Sequence, residues 1–352
     1  MNYHVKLQPS GHEFDVAQGE FLLNAGLAAG WNLPYSCRHG MCRSCRAKVV
    51  SGTVDMADYL QDVLTPAMRA QKMTLLCCAS PCSDLVIEVP ELSLATQKPK
   101  VVPCRVNHMD RVTPDIAVIK LRLPQNENMR FAPGQYISIM LDDGKRRAYS
   151  IATAPRSEGL IDLELHVRHT PGGLFTDYLF NTMKVRSVLK FEGPLGTFYL
   201  REDSDKPIVL LATGTGFAPI KSIVEYMALR SIRRPIALYW GGRSRRDLYM
   251  LDLVHEWTRQ LPDFRFVPVL SKPDAEDEWQ GRTGHIHQAV REDFPELSGH
   301  QVYASGNPKM VDSARACFTS LGLSESEFFA DAFLTEADRN RAGITADAAV
   351  TQ

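Results

Sequence analysis

The sequence predicts a multidomain chain in three modules. These are a small mixed α+β unit, an antiparallel β-barrel and an α/β unit built on a doubly wound parallel sheet. Three observations predict it. Cys37, Cys42, Cys45 and Cys77 cluster early in the chain, in a spacing that needs a small scaffold around it. Residues 102–203 hold short alternating runs separated by turns, the pattern of an antiparallel barrel. Residues 204–333 alternate continuous apolar runs with helical periodicity, the pattern of a parallel sheet with helices on both faces.

The first module is assigned to residues 1–91. Val5 to Leu7 and Glu13 to Val16 read as a hairpin around Ser10-Gly11. Phe21, Leu22, Ala25 and Ala28 recur at helical spacing. Arg46 to Val50 and Leu85 to Val89 alternate like strands. Residues 91–101 lack a periodic apolar face and read as a flexible linker. The barrel is assigned to residues 102–203, with strands at Ile116 to Leu123, Tyr136 to Met140 and Leu160 to Val167. The third module, 204–335, opens on the apolar run Ile208 to Ala212, as in a strand buried on both faces. Ile220, Ile223, Val224 and Met227 form a helical stripe. Strands follow at Ile236 to Trp240, Phe266 to Leu270, Val302 to Ala304 and Phe328 to Phe333. The tail 334–352 has no apolar periodicity and is expected to be disordered.

Cys37, Cys42 and Cys45 follow C-x4-C-x2-C, and Cys77 comes after 31 further residues. That is a spacing of [2Fe–2S] sites. Gly40 supplies backbone angles closed to other residues, so the loop can curl and aim N–H groups at the sulfurs. A structural zinc site is the alternative, but zinc usually takes cysteines in two short pairs, and no C-x2-C partner accompanies the last cysteine. Cys78 adjoins Cys77 and Cys82 follows, so spacing alone leaves the fourth ligand open. Cys78, Cys82, Cys104 and Cys317 read as free buried thiols. A net charge of −1 gives no global field for nucleic acid. No run approaches membrane-spanning length, and reduced thiols fit a cytoplasmic location.

Arg147-Ala148-Tyr149-Ser150 closes a barrel strand. Arginine offers a bidentate fork for phosphate. Tyrosine offers a flat face for a flavin ring, and serine a hydrogen bond at its edge. Taken alone, the four residues equally describe a strand-end turn. His166-Val167-Arg168 follows and reads as strand support. Gly172-Gly173-Leu174-Phe175-Thr176 precedes a helical run, where backbone N–H groups can meet a pyrophosphate. Thr213-Gly214-Thr215-Gly216-Phe217-Ala218-Pro219 follows the first buried strand, with Pro219 suited to a first helical position. Pro219 stands where G-x-G-x-x-G has its third glycine, which disfavours a strict dinucleotide-binding dehydrogenase.

The first module resembles plant-type ferredoxins, a β-grasp fold. Leu76-Cys77 with Ser83-Asp84 matches that family around its last ligand, which implies Cys77 rather than Cys78. The later motifs together resemble the ferredoxin–NADP reductase superfamily. That resemblance implies that Arg147 pairs with a flavin phosphate, Tyr149 stacks on the isoalloxazine and Ser150 sits near its N5. It gives Gly172, Gly173 and Thr176 the pyrophosphate of FAD. It gives Gly214, Thr215 and Gly216 the nicotinamide dinucleotide, with Gly242 and Arg243 near its adenosine ribose. Ser305 and Gly306 would lie beside the nicotinamide, Asp331 near the flavin and Phe333 over the flavin's other face. Ser150, Ser305 and Asp331 are thus the catalytic candidates. The family usually has Cys at the place of Ser305, which implies slower hydride transfer here.

Arg243, Arg245 and Arg246 could grip the 2′-phosphate of NADPH or form a solvated loop, and Asp247 would repel that phosphate. Relatives with an N-terminal ferredoxin mostly use NADH, which the resemblance therefore implies. The module order implies a route from NAD(P)H through FAD to the cluster and on to a partner protein. The chain is similar to reductase components of Rieske-type oxygenases and to CDP-6-deoxy-3,4-glucoseen reductases, so the partner is an oxygenase or a sugar dehydratase. Such relatives are often monomers. The cluster loop carries Arg38, His39, Arg43, Arg46 and Lys48 with no acid between Cys37 and Lys48. It is either a solvated face or a dock for an acidic partner. A redox sensor with slow turnover is the alternative function, resting on Ser305.

Overall fold

The computed structural model describes residues 1–92 and 98–334, together with Asp338. The centre of the expected linker and most of the tail lie outside the described residues. Two compact units result: one carries the N-terminal module, and the other runs to Phe333.

The N-terminal unit starts with β1 (Asn2–Gln8) and β2 (Glu13–Ala17), paired antiparallel with Val5 opposite Phe14. Gly11 turns the chain at φ +79°, a region that favours glycine. The helix α1 (Leu22–Ala28) begins one residue after Phe21, which serves as its cap. Then come β3 (Arg46–Ser51), β4 (Val54–Met56), the short helix α2 (Pro66–Ala70), β5 (Met73–Leu75), β6 (Ala79–Pro81) and β7 (Leu85–Glu88). The sheet order is β2-β1-β7-β3-β5, with β1 and β7 parallel at its centre. Alternate residues Val5 and Leu7, Phe14 and Val16 turn inward against Leu22 and Leu23 of α1. A mixed sheet grasping one helix is the predicted β-grasp.

The second unit opens with β8 (Lys100–Thr113), so the linker is shorter than its composition suggested. Lys100 and Val101 pair with Gly193 and Glu192, so exposed residues are recruited by a ladder rather than by burial. At the linker's other end, Leu92 N–H donates to the Asn32 carbonyl at 2.9 Å. Next are β9 (Ile116–Arg122), β10 (Tyr136–Met140), β11 (Arg146–Ser150), β12 (Asp162–Arg168), α3 (Leu174–Asn181) and β13 (Val188–Leu195). These strands are antiparallel in the order β11-β10-β13-β8-β9-β12. Ile151 bridges to Leu165, and Ala152 N–H donates to the Glu164 carbonyl at 2.8 Å, closing the barrel. Phe175, Leu179 and Phe180 of α3 pack into its core.

The same unit continues with β14 (Ile208–Thr213), α4 (Phe217–Leu229), β15 (Ile236–Gly242), α5 (Leu251–Gln260), β16 (Phe264–Leu270) and β17 (Arg282–Thr283). It ends with α6 (Ile286–Asp293), β18 (Gln301–Gly306), α7 (Pro308–Ser320) and β19 (Phe328–Ala332). All neighbours are parallel in the order β17-β16-β15-β14-β18-β19. Leu210 and Ala212 pack into one core, and Val209 and Leu211 into a second on the other face. That explains the unbroken apolar run. From β14 the chain builds outward through β15, then crosses back to β18. Ligands in such sheets bind at that switch point, beyond the strands' C-terminal ends.

Candidate functional site

The cysteine loop takes positive φ at Arg38, Gly40 and Arg43. A side chain on Gly40 would meet Tyr59 Cβ at 2.6 Å and Cys78 Sγ at 2.8 Å. The curl aims N–H groups at sulfur: Gly40 toward Cys77 (3.3 Å), and His39 and Met41 toward Cys37 (3.4 Å each). The Cys37 N–H points at Cys42 Sγ (3.4 Å), while Cys45 and Cys77 bring their sulfurs within 3.2 Å. The hydrogen bond with Cys37 pulls the Cys42 thiol down to about 6, and the same bond, with burial, pushes Cys37 up.

Among the described residues no three His, Cys, Asp or Glu gather around a single-ion position. The four sulfurs of Cys37, Cys42, Cys45 and Cys77, with N–H groups aimed at them, would suit a two-iron cluster. Of the other cysteines, Cys78 and Cys104 are buried as expected. Cys82 is exposed in the turn after β6 and Cys317 is half-exposed on α7, so the reading of all four as buried thiols is corrected.

In the second unit, strand pairing places Arg147, Tyr149 and Ser150 opposite Ile139, Ile137 and Tyr136. Tyr149 lies against Phe175 with ring centres 5.1 Å apart, and burial pushes its hydroxyl well above the usual range. Ser150 Oγ donates to Asp331 Oδ2 at 3.1 Å, with both residues buried. Ser305 pairs with Asp331 across β18 and β19. Its Oγ is buried and has no hydrogen-bond partner among the described residues. Phe333 N–H donates to the Gly306 carbonyl (2.8 Å), which brings Phe333 to the same place.

Gly216 and Gly306 allow the nicotinamide-side turns to touch. A side chain on Gly216 would strike the Ser305 carbonyl, and one on Gly306, at φ +121°, would strike Thr213 Oγ1. Thr213 also accepts the Asn307 N–H at 2.8 Å, a bridge the sequence did not reveal. Trp240 Nε1 donates to the Gly214 carbonyl at 3.1 Å. Ser150, Asp331, Ser305, Gly216, Gly306 and Phe333 are therefore brought together at the C-terminal ends of β14, β18 and β19, and Gly214 and Thr215 lie in the turn that leads to Gly216.

Three details differ from expectation. Pro219 is the third residue of α4, because the tight turn Gly214–Gly216 runs straight into Phe217. The N–H it lacks is still one that a helix leaves unpaired. The N–H groups of Gly172 and Gly173 are used inside their own loop, by Asp177 Oδ2 (3.1 Å) and the Thr170 carbonyl (2.8 Å). Thr176 Oγ1 donates to the Thr170 carbonyl (2.9 Å), which turns this hydroxyl inward. Leu174, Phe175 and Thr176 begin α3, and first-turn N–H groups are those a helix leaves for an anion. Finally, Asp247 is no free negative charge. It accepts from Arg168 (2.6 Å) and from the N–H groups of Arg243 (2.7 Å) and Ser244 (3.1 Å). Burial pushes its carboxyl up, but these bonds outweigh that and hold it below its ordinary value. Its backbone bonds shape the turn after Gly242 and oppose a nucleotide phosphate less than its charge suggested. His166 supports its strand as expected, with Nδ1 at 2.7 Å from the Tyr249 hydroxyl and Nε2 at 3.0 Å from Glu164.

Comparison with known proteins matches the same three parts. A 2Fe-2S iron-sulfur cluster binding domain matches residues 5–82, an oxidoreductase FAD-binding domain 103–199, and an oxidoreductase NAD-binding domain 210–316. The chain is 42% identical over 337 residues to the CDP-6-deoxy-L-threo-D-glycero-4-hexulose-3-dehydrase reductase of Yersinia pseudotuberculosis serotype I, covering 95% of this chain and 99% of that protein. It is 34% identical to reductase component 2 of terephthalate 1,2-dioxygenase from a Comamonas species, covering 95% and 98%. The crystal structure of the Amycolatopsis cytochrome P450 reductase GcoB superposes with a TM-score of 0.76 at 32% identity, over 94% of this chain and 98% of that one.

The chain belongs to the family of iron–sulfur flavoprotein reductases that join a [2Fe–2S] domain to FAD- and NAD-binding domains. It is an oxidoreductase that carries electrons from a nicotinamide nucleotide through FAD to its cluster and on to a partner protein.

Proposed function

We propose that this reductase uses NADH and serves a dehydratase acting on a CDP-6-deoxy sugar. Two-electron hydride chemistry and one-electron release are supplied by the bound nucleotide, flavin and cluster; the chain positions them. The observation that supports the flavin and nicotinamide site is the Ser150–Asp331 hydrogen bond beside the unpartnered Ser305 hydroxyl, at the switch point. Arg147 and the first turn of α3 hold the FAD phosphates, with Gly172, Gly173 and Thr176 shaping that loop. Tyr149 and Phe333 face the flavin. Gly214, Thr215 and Gly216 admit the nucleotide pyrophosphate, and Gly242 and Arg243 flank its adenosine. Ser305 and Gly306 meet the nicotinamide, and Cys37, Cys42, Cys45 and Cys77 hold the cluster. The modules span 1–91, 102–203 and 204–335, with the barrel's first strand starting at Lys100.

The 42% identity to the Yersinia dehydrase reductase along nearly its full length supports a sugar dehydratase as acceptor. The terephthalate reductase component keeps an oxygenase as the competing partner. We place the docking surface on the basic cluster loop. His39 is exposed in that loop and Lys48 on the adjoining strand β3, and Arg43 donates to the Asp62 carbonyl at 3.1 Å. No helix among the described residues is long and apolar enough to cross a membrane; we propose a monomer in the cytoplasm. The test is electron delivery to purified dehydratase and oxygenase at rising ionic strength, with Arg43→Glu. Preference for the dehydratase, with salt-sensitive rates, is expected. Rates indifferent to salt and to Arg43→Glu would remove the docking surface, and preference for the oxygenase would reassign the partner.

A further inference from the structure

A buried ionic cluster in the second unit is used by none of the cofactor motifs. Lys221, on α4, is only 9% exposed. Its ammonium lies 3.2 Å from Glu164 Oε1 on β12, 2.9 Å from Glu225 Oε2 on its own helix, and 3.5 Å from the Ala152 carbonyl. The neighbouring Ser222, fully buried, donates to the Thr153 carbonyl at 2.8 Å. Thr153 in turn accepts the Glu164 N–H at 2.7 Å, and Glu164 also holds His166 at 3.0 Å. A cation from the nucleotide-binding part is thus gripped by an anion and one carbonyl of the barrel, and the next residue of its helix, Ser222, holds a second carbonyl. Removing one partner of such a buried set strands the other charge, so the contact has one strongly favoured geometry.

Its place gives the contact a consequence. Ala152 and Thr153 follow directly on Ser150 and Ile151. Lys221 and Ser222 lie on the rigid helix that starts at the Gly214–Gly216 turn. We propose that Lys221 is a positioning residue that fixes the separation of the nicotinamide turn from the flavin strand, and so the hydride-transfer distance. This rests on the site reading above. A displacement of 1 Å at a reacting centre can cost about a hundredfold in rate; Lys221 follows the Gly214–Gly216 turn by one helical stretch, and the carbonyl it meets belongs to Ala152, just after Ser150.

The test is single-turnover flavin reduction of the FAD-loaded full chain by NADH and by NADH deuterated at the transferred position. Wild type is compared with Lys221→Met, Lys221→Arg and Ser222→Ala. Lys221→Met is expected to slow the limiting rate constant about tenfold or more and to enlarge the isotope effect. Half-saturating NADH and the FAD affinity of the apoprotein should stay within about twofold. Lys221→Arg should recover most of the rate, and Ser222→Ala should show a smaller loss of the same kind. Heating the Lys221→Met apoprotein should separate barrel and nucleotide-module unfolding into two transitions.

A Lys221→Met protein with wild-type rate constant and isotope effect would overturn the proposal. If that variant does not fold, unchanged rate and isotope effect in both Lys221→Arg and Ser222→Ala would overturn it equally. A wild type that neither NADH nor NADPH reduces would instead overturn the site reading and the hydride role with it. An unsplit unfolding transition in Lys221→Met would show that Lys221 does not tie the barrel to the nucleotide-binding part and would equally overturn the proposal.

Discussion

The cluster loop and the nucleotide crevice are built in opposite ways. Three of the four proposed cluster ligands lie within nine residues, and the loop's own N–H groups point at Cys37 and Cys77. The nucleotide site takes Ser150 from a barrel strand, Gly214 to Gly216 from the turn after one parallel strand, Ser305 from a second parallel strand and Asp331 from a third. The first is a local design, held by a curled backbone. The second exists only once two sheets have closed on each other. Local sites should therefore fail singly and completely, whereas assembled sites should fail by degrees and at a distance.

The largest expected effect tests the local half. Replacing Cys45 by Ser should abolish the cluster's visible absorbance and its reduced-state paramagnetic signal. Delivery to the partner protein should fall by about a hundredfold or more. Flavin reduction by NADH should survive, because the crevice shares no residue with the loop. Loss of flavin reduction as well would break the comparison.

Next come Ser150→Ala and Asp331→Ala. A hydrogen bond to a charged group is worth about 1.5–3 kcal/mol. Each variant should thus slow single-turnover flavin reduction by about ten- to a hundredfold. The double variant should be little worse than either single one, since both remove one shared bond. Strict additivity in a double-mutant cycle would show that the two residues act apart.

Gly306→Ala sharpens the point from the backbone side. At φ +121° and against Thr213, an added Cβ should destabilise the protein by about 1–3 kcal/mol. It should also weaken nucleotide binding, because the turn beside Ser305 must shift. Thermal unfolding and nucleotide titration measure the two effects. Gly144 also has a positive φ, +80°, but open space around it, so the same change there should cost the backbone strain alone, about 1 kcal/mol, and leave nucleotide binding unchanged.

A smaller and slower effect is pH dependence across the barrel junction. Burial works against ionising Glu164, but the hydrogen bond from His166 and the charge of Lys221 outweigh it and lower its carboxyl to about 2. A carboxyl depressed in the folded state contributes stability above its ordinary value of 4.5, and that contribution is lost as pH falls through the folded value. The depression corresponds to about 3 kcal/mol. Glu164→Gln should flatten the stability profile between about pH 4.5 and 2, measured by urea unfolding at a series of pH values. An unchanged slope would show that Glu164 is not held by this cluster.

The same contrast explains what could be read before the structure. Cys37, Cys42 and Cys45 could be found because their spacing is itself the geometry. The runs at Tyr136 to Met140 and Ile208 to Ala212 could be found because a strand buried along its length must be almost wholly apolar. Thr213, Lys221 and Tyr249 could not. Their partners lie 94, 57 and 83 residues away in sequence, at Asn307, Glu164 and His166, and no local period marks such a pair. Asp247 was visible but misread, since its sign of charge is in the sequence while its pairing with Arg168 is not. The strand at Lys100 and Val101 was missed for a related reason: both side chains stay outside the core, and only the ladder with Glu192 and Gly193 orders them.

The most direct measurement is rapid-mixing reduction of the anaerobic full chain by NADH, with flavin and cluster absorbance followed separately in wild type and in Cys45→Ser. The account predicts that flavin bleaches first and the cluster second in wild type, and that the variant's flavin bleaches at the wild-type rate and then stays reduced in the presence of the partner protein. A variant that still delivers electrons to the partner at the wild-type rate would contradict the route through the cluster.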